Sequence, residues 1–154
     1  MPRRLPGWVY VAFAYVVTNH QVARLHRWLI ARTGGRGIAG RALGLDMIVV
    51  TTTGRRTGSP RTVPLGAVRD GDRWLVVGSN AGRDQAPAWA LNMEANPDVG
   101  VSIGGREPVP YVARRPGGEE ADRAWRLALG TYPGYADYQA RTDRKIPLFL
   151  LEPA

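Results

Sequence analysis

A chain of 154 residues, 44% hydrophobic and 22% charged, fits one folded domain and excludes global disorder. It has no cysteine, which excludes disulfides, thiolate nucleophiles, zinc fingers and iron–sulfur clusters and suits a reducing, cytoplasmic compartment. The net charge of +8 is lopsided: residues 1–45 hold seven arginines and no acid, whereas the remainder holds fourteen basic and thirteen acidic groups.

Residues 1–44 therefore form a basic arm, and residues 45–154 a charge-balanced domain that carries the chemistry. Trp8 to Val17 is apolar, but such a run is about half of the roughly twenty residues a spanning helix needs, and no cleavage-site pattern follows it. Asn19 can cap a basic amphipathic helix to about Arg32, with Val22, Leu25 and Leu29 on one face. Such a helix either packs on the domain or meets an anionic membrane surface through residues 8–32. His20 and His26 stand six apart, so they cannot form the same-face pair of a zincin. Gly35, Gly37 and Gly40 spell G-x-G-x-x-G, yet a helix precedes them and a strand follows, the reverse of a dinucleotide-binding loop. Basic charge alone would also suit nucleic acid, but no reader motif accompanies it, so no nucleic-acid partner is expected.

Leu45 to Thr53 is rich in β-branched residues and predicts a strand. Gly54 to Pro60 makes a turn, Arg61 to Arg69 a returning strand, and Asp70-Gly71 a tight hairpin into a third strand over Arg73 to Ser79. A short helix is predicted over Ala86 to Ala95, stopped by Asn96-Pro97. Val99 to Ile103 and Pro108 to Arg114 pair around Gly104-Gly105. Glu119 to Leu129 forms an amphipathic helix with Ala121, Trp125, Leu127 and Leu129 apolar, and Ile146 to Leu151 ends the fold as a strand. With no βαβ alternation, the pattern predicts an α+β barrel of about six mostly antiparallel strands with inserted helices.

Three segments could carry chemistry. Arg55, Arg56 and Arg61 surround Thr57, Gly58 and Ser59; guanidiniums beside hydroxyls and free amides suit phosphate or carboxylate, although a solvated turn would look the same. Gly78-Ser79-Asn80-Ala81-Gly82 follows a strand and precedes a helix N-terminus that would attract an anion. Tyr132, Tyr135 and Tyr138 recur every three residues in a stretch too polar for simple core; tyrosine can stack on a flat ligand and donate a proton.

Five segments, TTTGRRTGSPRTVPL (51–65), DGDRWLVVGSNAG (70–82), PAWALNMEANPDV (87–99), TYPGYADYQARTDRKIP (131–147) and LEP (151–153), together resemble the actinobacterial deazaflavin (coenzyme F-420)-dependent nitroreductase and quinone reductase family. The triple-tyrosine segment is similar to that of its mycobacterial nitroimidazole-activating members. The resemblance implies a split β-barrel of the FMN-binding type with a deazaflavin in a groove along it. By position, Arg55, Arg56, Thr57, Gly58 and Arg61 would hold the cofactor's phosphate and oligoglutamate tail, and Val63, Pro64 and Leu65 would line the groove. Gly78, Ser79, Asn80, Ala81, Pro87, Ala88 and Trp89 would meet ring and linker. Tyr132, Tyr135 and Tyr138 would form a lid and substrate wall, with Tyr135 also touching cofactor. Arg56 stands where lysine is frequent, Asn80-Ala81 where Lys-Gly or Asn-Gly is, and Ala90 where tyrosine is, which would widen the pocket near that helix.

The implied activity is hydride transfer from reduced coenzyme F-420 to a small-molecule acceptor, a menaquinone-like quinone or a nitroaromatic or enone compound. Tyr132 or Tyr135 would supply a proton or hydrogen bond, with Ser79 as second donor, and no metal is required. Two alternatives fit the same barrel: an FMN-dependent oxidoreductase, and a carrier that stores the deazaflavin without catalysis.

Overall fold

The computed structural model describes residues 44–154. The expected basic arm, its helix to Arg32 and its membrane contact lie outside the described residues, except for Gly44 at its end. From Leu45 on, six strands and three helices follow: β1 Asp46–Thr53, β2 Pro60–Asp70, β3 Arg73–Val77, α1 Ala88–Ala95, β4 Asp98–Ile103, β5 Val109–Arg114, α2 Gly118–Thr131, α3 Gly134–Gln139 and β6 Leu148–Pro153, with a 3-10 turn at Asn80–Gly82. All strand pairs are antiparallel, and the order β1-β2-β3-β6-β5-β4 closes through β1 against β4. The expected α+β split barrel is the observed one.

Strand composition follows from what each face meets. In β1 the residues alternate, with Ile48, Val50 and Thr52 turned inward and buried. By contrast, β3 and β6 are covered on both faces and read as unbroken apolar runs. Trp74, Val76, Phe149 and Leu151 join Ile48, Val50, Val99 and Val101 in one cluster, to which α1 adds Ala90 and Met93. Leu75, Val77, Leu148 and Leu150 face the other way, into a second cluster with α2 and three tyrosines.

Four expectations need correction. The hairpin between β2 and β3 turns on Gly71-Asp72, because Asp70 is still paired with Arg73. The third strand stops at Val77: Gly78 leaves the ladder and donates its N–H to the Pro147 carbonyl, so the last strand also starts two residues later, at Leu148. Helix α2 docks through Ala124 and Ala128 rather than chiefly through its bulky residues; Trp125, Leu127 and Leu129 are only partly buried. An alanine pair at i, i+4 lets the helix axis approach the barrel wall closely.

Candidate active site

The turn between β1 and β2 is closed by its own backbone. Gly54 N–H donates to the Ser59 carbonyl at 2.8 Å, and Gly58 N–H and Thr57 N–H return to the Gly54 carbonyl at 2.7 and 3.2 Å. The turn packs tightly over Gly54: a Cβ there would stand 3.0 Å from the Ser59 carbonyl and 3.1 Å from the Thr57 hydroxyl, so a side chain would push them aside. The compact turn leaves Arg55, Arg56 and Arg61 exposed. Among the described residues no ion pair joins any of these three guanidiniums to a carboxylate.

These arginines border a groove of about 840 Å³ between the turn, β2, the 80–87 connection and α1. Of the residues singled out in the sequence, the groove collects Arg55, Arg56, Thr57, Arg61, Val63, Asn80, Pro87, Ala88 and Trp89, and adds Thr52, Gly54, Thr62, Gln85, Ala86, Leu91 and Asn92. Strand register separates Val63 from Pro64, although Thr62, which opposes Thr51 on the other face, also borders the groove near the turn. Arg61, Val63 and Leu65 oppose Thr52, Val50 and Ile48 and share their face, whereas Pro64 opposes Val49 on the other face. Leu65 lies deeper and packs on the barrel cluster. Ala90 is fully buried in that cluster and does not border the groove.

Gly78, Ser79 and Ala81 do not line the groove; Gly58 sits exposed at the tip of the turn. The 78–84 loop is instead fastened to the segment after the tyrosines. Arg144 donates from Nη2 to the carbonyls of Gly78 and Ser79 at 3.1 and 2.8 Å and from Nε to the Arg83 carbonyl at 2.8 Å. The Thr142 hydroxyl donates to Asp84 at 3.0 Å. Gly82, at φ +77°, admits no side chain, since its Cβ would fall 2.7 Å from the Tyr138 carbonyl oxygen. Asn80 and Ala81 also adopt positive φ, 46° and 56°, and Asn80 donates from Nδ2 to the Gln85 carbonyl at 2.9 Å. The loop thus turns Asn80 toward the groove while Ala81 packs against the tyrosine cluster. The expected helix N-terminus begins only at Ala88, after Pro87, and not directly at the loop.

Tyr132, Tyr135 and Tyr138 are all buried, at 2%, 6% and 5% exposure, and none borders the groove. The hydroxyls of Tyr132 and Tyr138 lie 3.2 Å apart, and the Tyr132 and Tyr135 rings meet edge to face with centroids 4.9 Å apart. Burial, with Tyr138 adding to it, pushes the Tyr135 hydroxyl well above the ordinary tyrosine value, so it stays neutral at physiological pH.

Sequence reasoning missed Asn92. This side chain, 5% exposed, donates from Nδ2 to the Thr52 hydroxyl at 3.1 Å and accepts the Arg55 N–H at 3.2 Å. No grouping of histidine, cysteine or carboxylate among the described residues could hold a metal ion, and no described helix is long and apolar enough to cross a membrane.

The model of the F420H(2)-dependent quinone reductase family matches residues 22–153. The chain belongs to this family. An F420H(2)-dependent quinone reductase of Mycobacterium tuberculosis is 36% identical over 134 residues, covering 85% of this chain and 89% of that protein. A solved F420-H2-dependent reductase superposes with a TM-score of 0.62 at 41% identity, over 69% of this chain and 93% of its own. A further structure, described as a domain-swapped dimer, reaches 0.64 at 36% identity, over 86% and 97%. Family membership makes the protein an oxidoreductase that uses coenzyme F-420 to reduce a quinone. It favours neither the FMN reading nor the carrier reading.

The groove's donor set fits such a cofactor. Three guanidiniums without carboxylate partners suit a phosphate and a polyanionic tail, and Val63, Pro87, Trp89 and Leu91 offer apolar wall for a flat ring.

Proposed function

We propose that the groove is the cofactor site and that this chain catalyses hydride transfer from reduced coenzyme F-420 to a membrane-soluble quinone of the menaquinone type, reducing nitroaromatic or enone compounds at the same site. The observation that carries this reading is the row of guanidiniums, without an ion pair among the described residues, on a pocket with an apolar wall. Arg55, Arg56 and Arg61, with the Thr57 hydroxyl, bind the phosphate and tail; Gly58 lets the turn's tip stay free of side chain. Val63 and Trp89, with Pro87 and Ala88, orient the ring and exclude water from its face, and Pro64 and Leu65 support that wall from within β2. Asn80, held by Gln85, borders the ring end of the groove, and Gly78, Ser79 and Ala81 fix the backbone that carries it.

When bound, the deazaflavin supplies a hydride and is a poor one-electron donor. The protein's task is to align the acceptor and stabilise the oxyanion that develops on it. We assign the acceptor side to Ser79, Tyr132, Tyr135 and Tyr138. Burial raises the Tyr135 hydroxyl above its ordinary value, so in this assignment it donates a hydrogen bond rather than acting as a base, and solvent delivers the proton. The basic stretch over residues 8–32 brings the site to an anionic membrane where such a quinone resides.

Fluorescence titration with oxidised coenzyme F-420 and with FMN, alongside menaquinone reduction in the same preparation, tests the reading. Preferred deazaflavin binding with quinone turnover supports it; preferred FMN binding, or deazaflavin binding without turnover, overturns it. Tyr132→Phe, Tyr135→Phe and Ser79→Ala are expected to lower turnover about tenfold while changing cofactor affinity little. Unchanged turnover in all three removes the acceptor-side assignment. Flotation with anionic vesicles of the full chain, set against a chain starting at Leu43, tests the membrane contact.

A further inference from the structure

We propose that Asn92 is a positioning residue for anion recognition: together with Thr52 it holds the basic turn in the shape that receives the phosphate and tail. The inference rests on the assignment of the groove as the cofactor site. Thr52 and Asn92 are among the few buried polar side chains, at 2% and 5% exposure, and both border the groove. Their hydrogen bonds run in one direction. Asn92 Nδ2 donates to Thr52 Oγ1 at 3.1 Å, which commits the Thr52 proton to the Arg61 carbonyl at 3.3 Å, while Asn92 Oδ1 accepts the Arg55 N–H at 3.2 Å. One amide thus ties the residue that enters the turn and, through Thr52, the residue that leaves it.

The turn's internal hydrogen bonds set its shape but not its place. Its three guanidiniums have no carboxylate among the described residues to hold them, so the backbone beneath must fix the place from which they reach. Among the described residues, the hydrogen bond from this turn to α1 is the one to Asn92. A preorganised array of donors loses less conformational freedom on binding than a free one, so the effect falls on the anionic part of the ligand. No apolar residue can substitute, because the Arg55 N–H would lose its protein acceptor and the turn its tie to α1. Aspartate cannot either: it lacks the N–H that orients Thr52, and it would set a carboxylate beneath an anion site.

The test compares two ligands on the full chain: oxidised coenzyme F-420, and the same chromophore without phosphate and glutamates. The wild type is expected to bind the complete cofactor at least tenfold more tightly. In Asn92→Leu that preference should shrink about tenfold, with affinity for the tail-less chromophore within about twofold of wild type. Thr52→Val should shrink it about threefold, and Thr52→Ser should restore it. Equal loss for both ligands, or an unaltered preference in Asn92→Leu and Thr52→Val, overturns the proposal while leaving the groove assignment standing. A wild type that does not distinguish the two ligands overturns both. If Asn92→Leu does not fold, the Thr52→Val and Thr52→Ser pair decides alone.

Discussion

At the start of β2, Arg55, Arg56 and Arg61 stand exposed beside a groove with no carboxylate partner among the described residues. At its other end, Asp70 enters a network in which every guanidinium is matched. Arg73 reaches Asp70, Glu120 and Glu152 at 2.7, 3.2 and 3.3 Å. Arg114 reaches Glu120 and Glu152, both at 2.7 Å, and Arg123 reaches Asp70 at 3.1 Å. The two sets share a residue type but not a setting: one stands on the β1–β2 turn and the start of β2, the other on β3, β5 and α2, in a domain whose formal charge nearly cancels. Partnering, rather than arginine count, separates the groove arginines, to which we assign the ligand, from those that hold strands and α2 together.

The comparison breaks most readily at the groove. Removing two charges with Arg55→Gln/Arg56→Gln should weaken coenzyme F-420 binding about 30-fold, at about 1 kcal/mol for each exposed guanidinium–phosphate contact. The thermal midpoint should stay within about 1 °C of wild type, since exposed side chains with no ion pair contribute little to folding. Cofactor titration and a melting curve on one sample check both halves. Asp70→Asn should do the opposite: it removes the shared partner of Arg73 and Arg123, costs about 1 kcal/mol of stability and about 3 °C, and leaves cofactor affinity unchanged.

Acid sharpens the contrast further. The hydrogen bond from Arg114, with Arg73 assisting, holds the Glu120 carboxyl down to about 2, against an ordinary value of 4.5. Arg114 likewise lowers Glu152, and Arg123, ahead of Arg73, lowers Asp70. A depressed carboxylate contributes stability that is fully present above its unfolded value and is lost as pH falls through the folded one. The melting temperature should therefore decline between about pH 4.5 and pH 2, with a shallower decline in Glu120→Gln; an identical pH profile in that variant would show that the network does not set acid sensitivity. The smallest expected effect is salt. Between about 50 and 300 mM, deazaflavin affinity should fall a few-fold through screening of the groove arginines, while the melting temperature at pH 7 moves by about a degree.

How much of this was legible depends on whether the deciding partner is near in sequence. The strands were, since β-branched alternation is local, and so was the basic turn, whose glycine, arginines and hydroxyls lie within one short run. α3 was not: Pro133-Gly134 reads as a turn, although Pro133 serves as the residue before the first turn of Gly134–Gln139. Asn92 was hidden because α1 is apolar around most of its circumference, so no stripe tells which face is buried. Nor could the sequence tell paired arginines from free ones, because Arg73 meets Glu120 and Glu152 at separations of 47 and 79 residues. The polar look of the tyrosine stretch argued against core, yet Tyr132, Tyr135 and Tyr138 are buried because α2 and the 78–84 loop cover them.

The barrel's closing strand has a consequence for how the protein is made. β6 pairs with β3 on one side and β5 on the other, so neither of those edges is satisfied until residues 148–153 have emerged from the ribosome. The groove, by contrast, is built from residues 52–92 and is complete in sequence long before. A nascent chain stalled in between would display two open, apolar strand edges, the kind of surface that pairs with other chains. Pairing of β6 is thus the step that seals the barrel, and a chain cut before Leu148 is expected to aggregate through the two open edges.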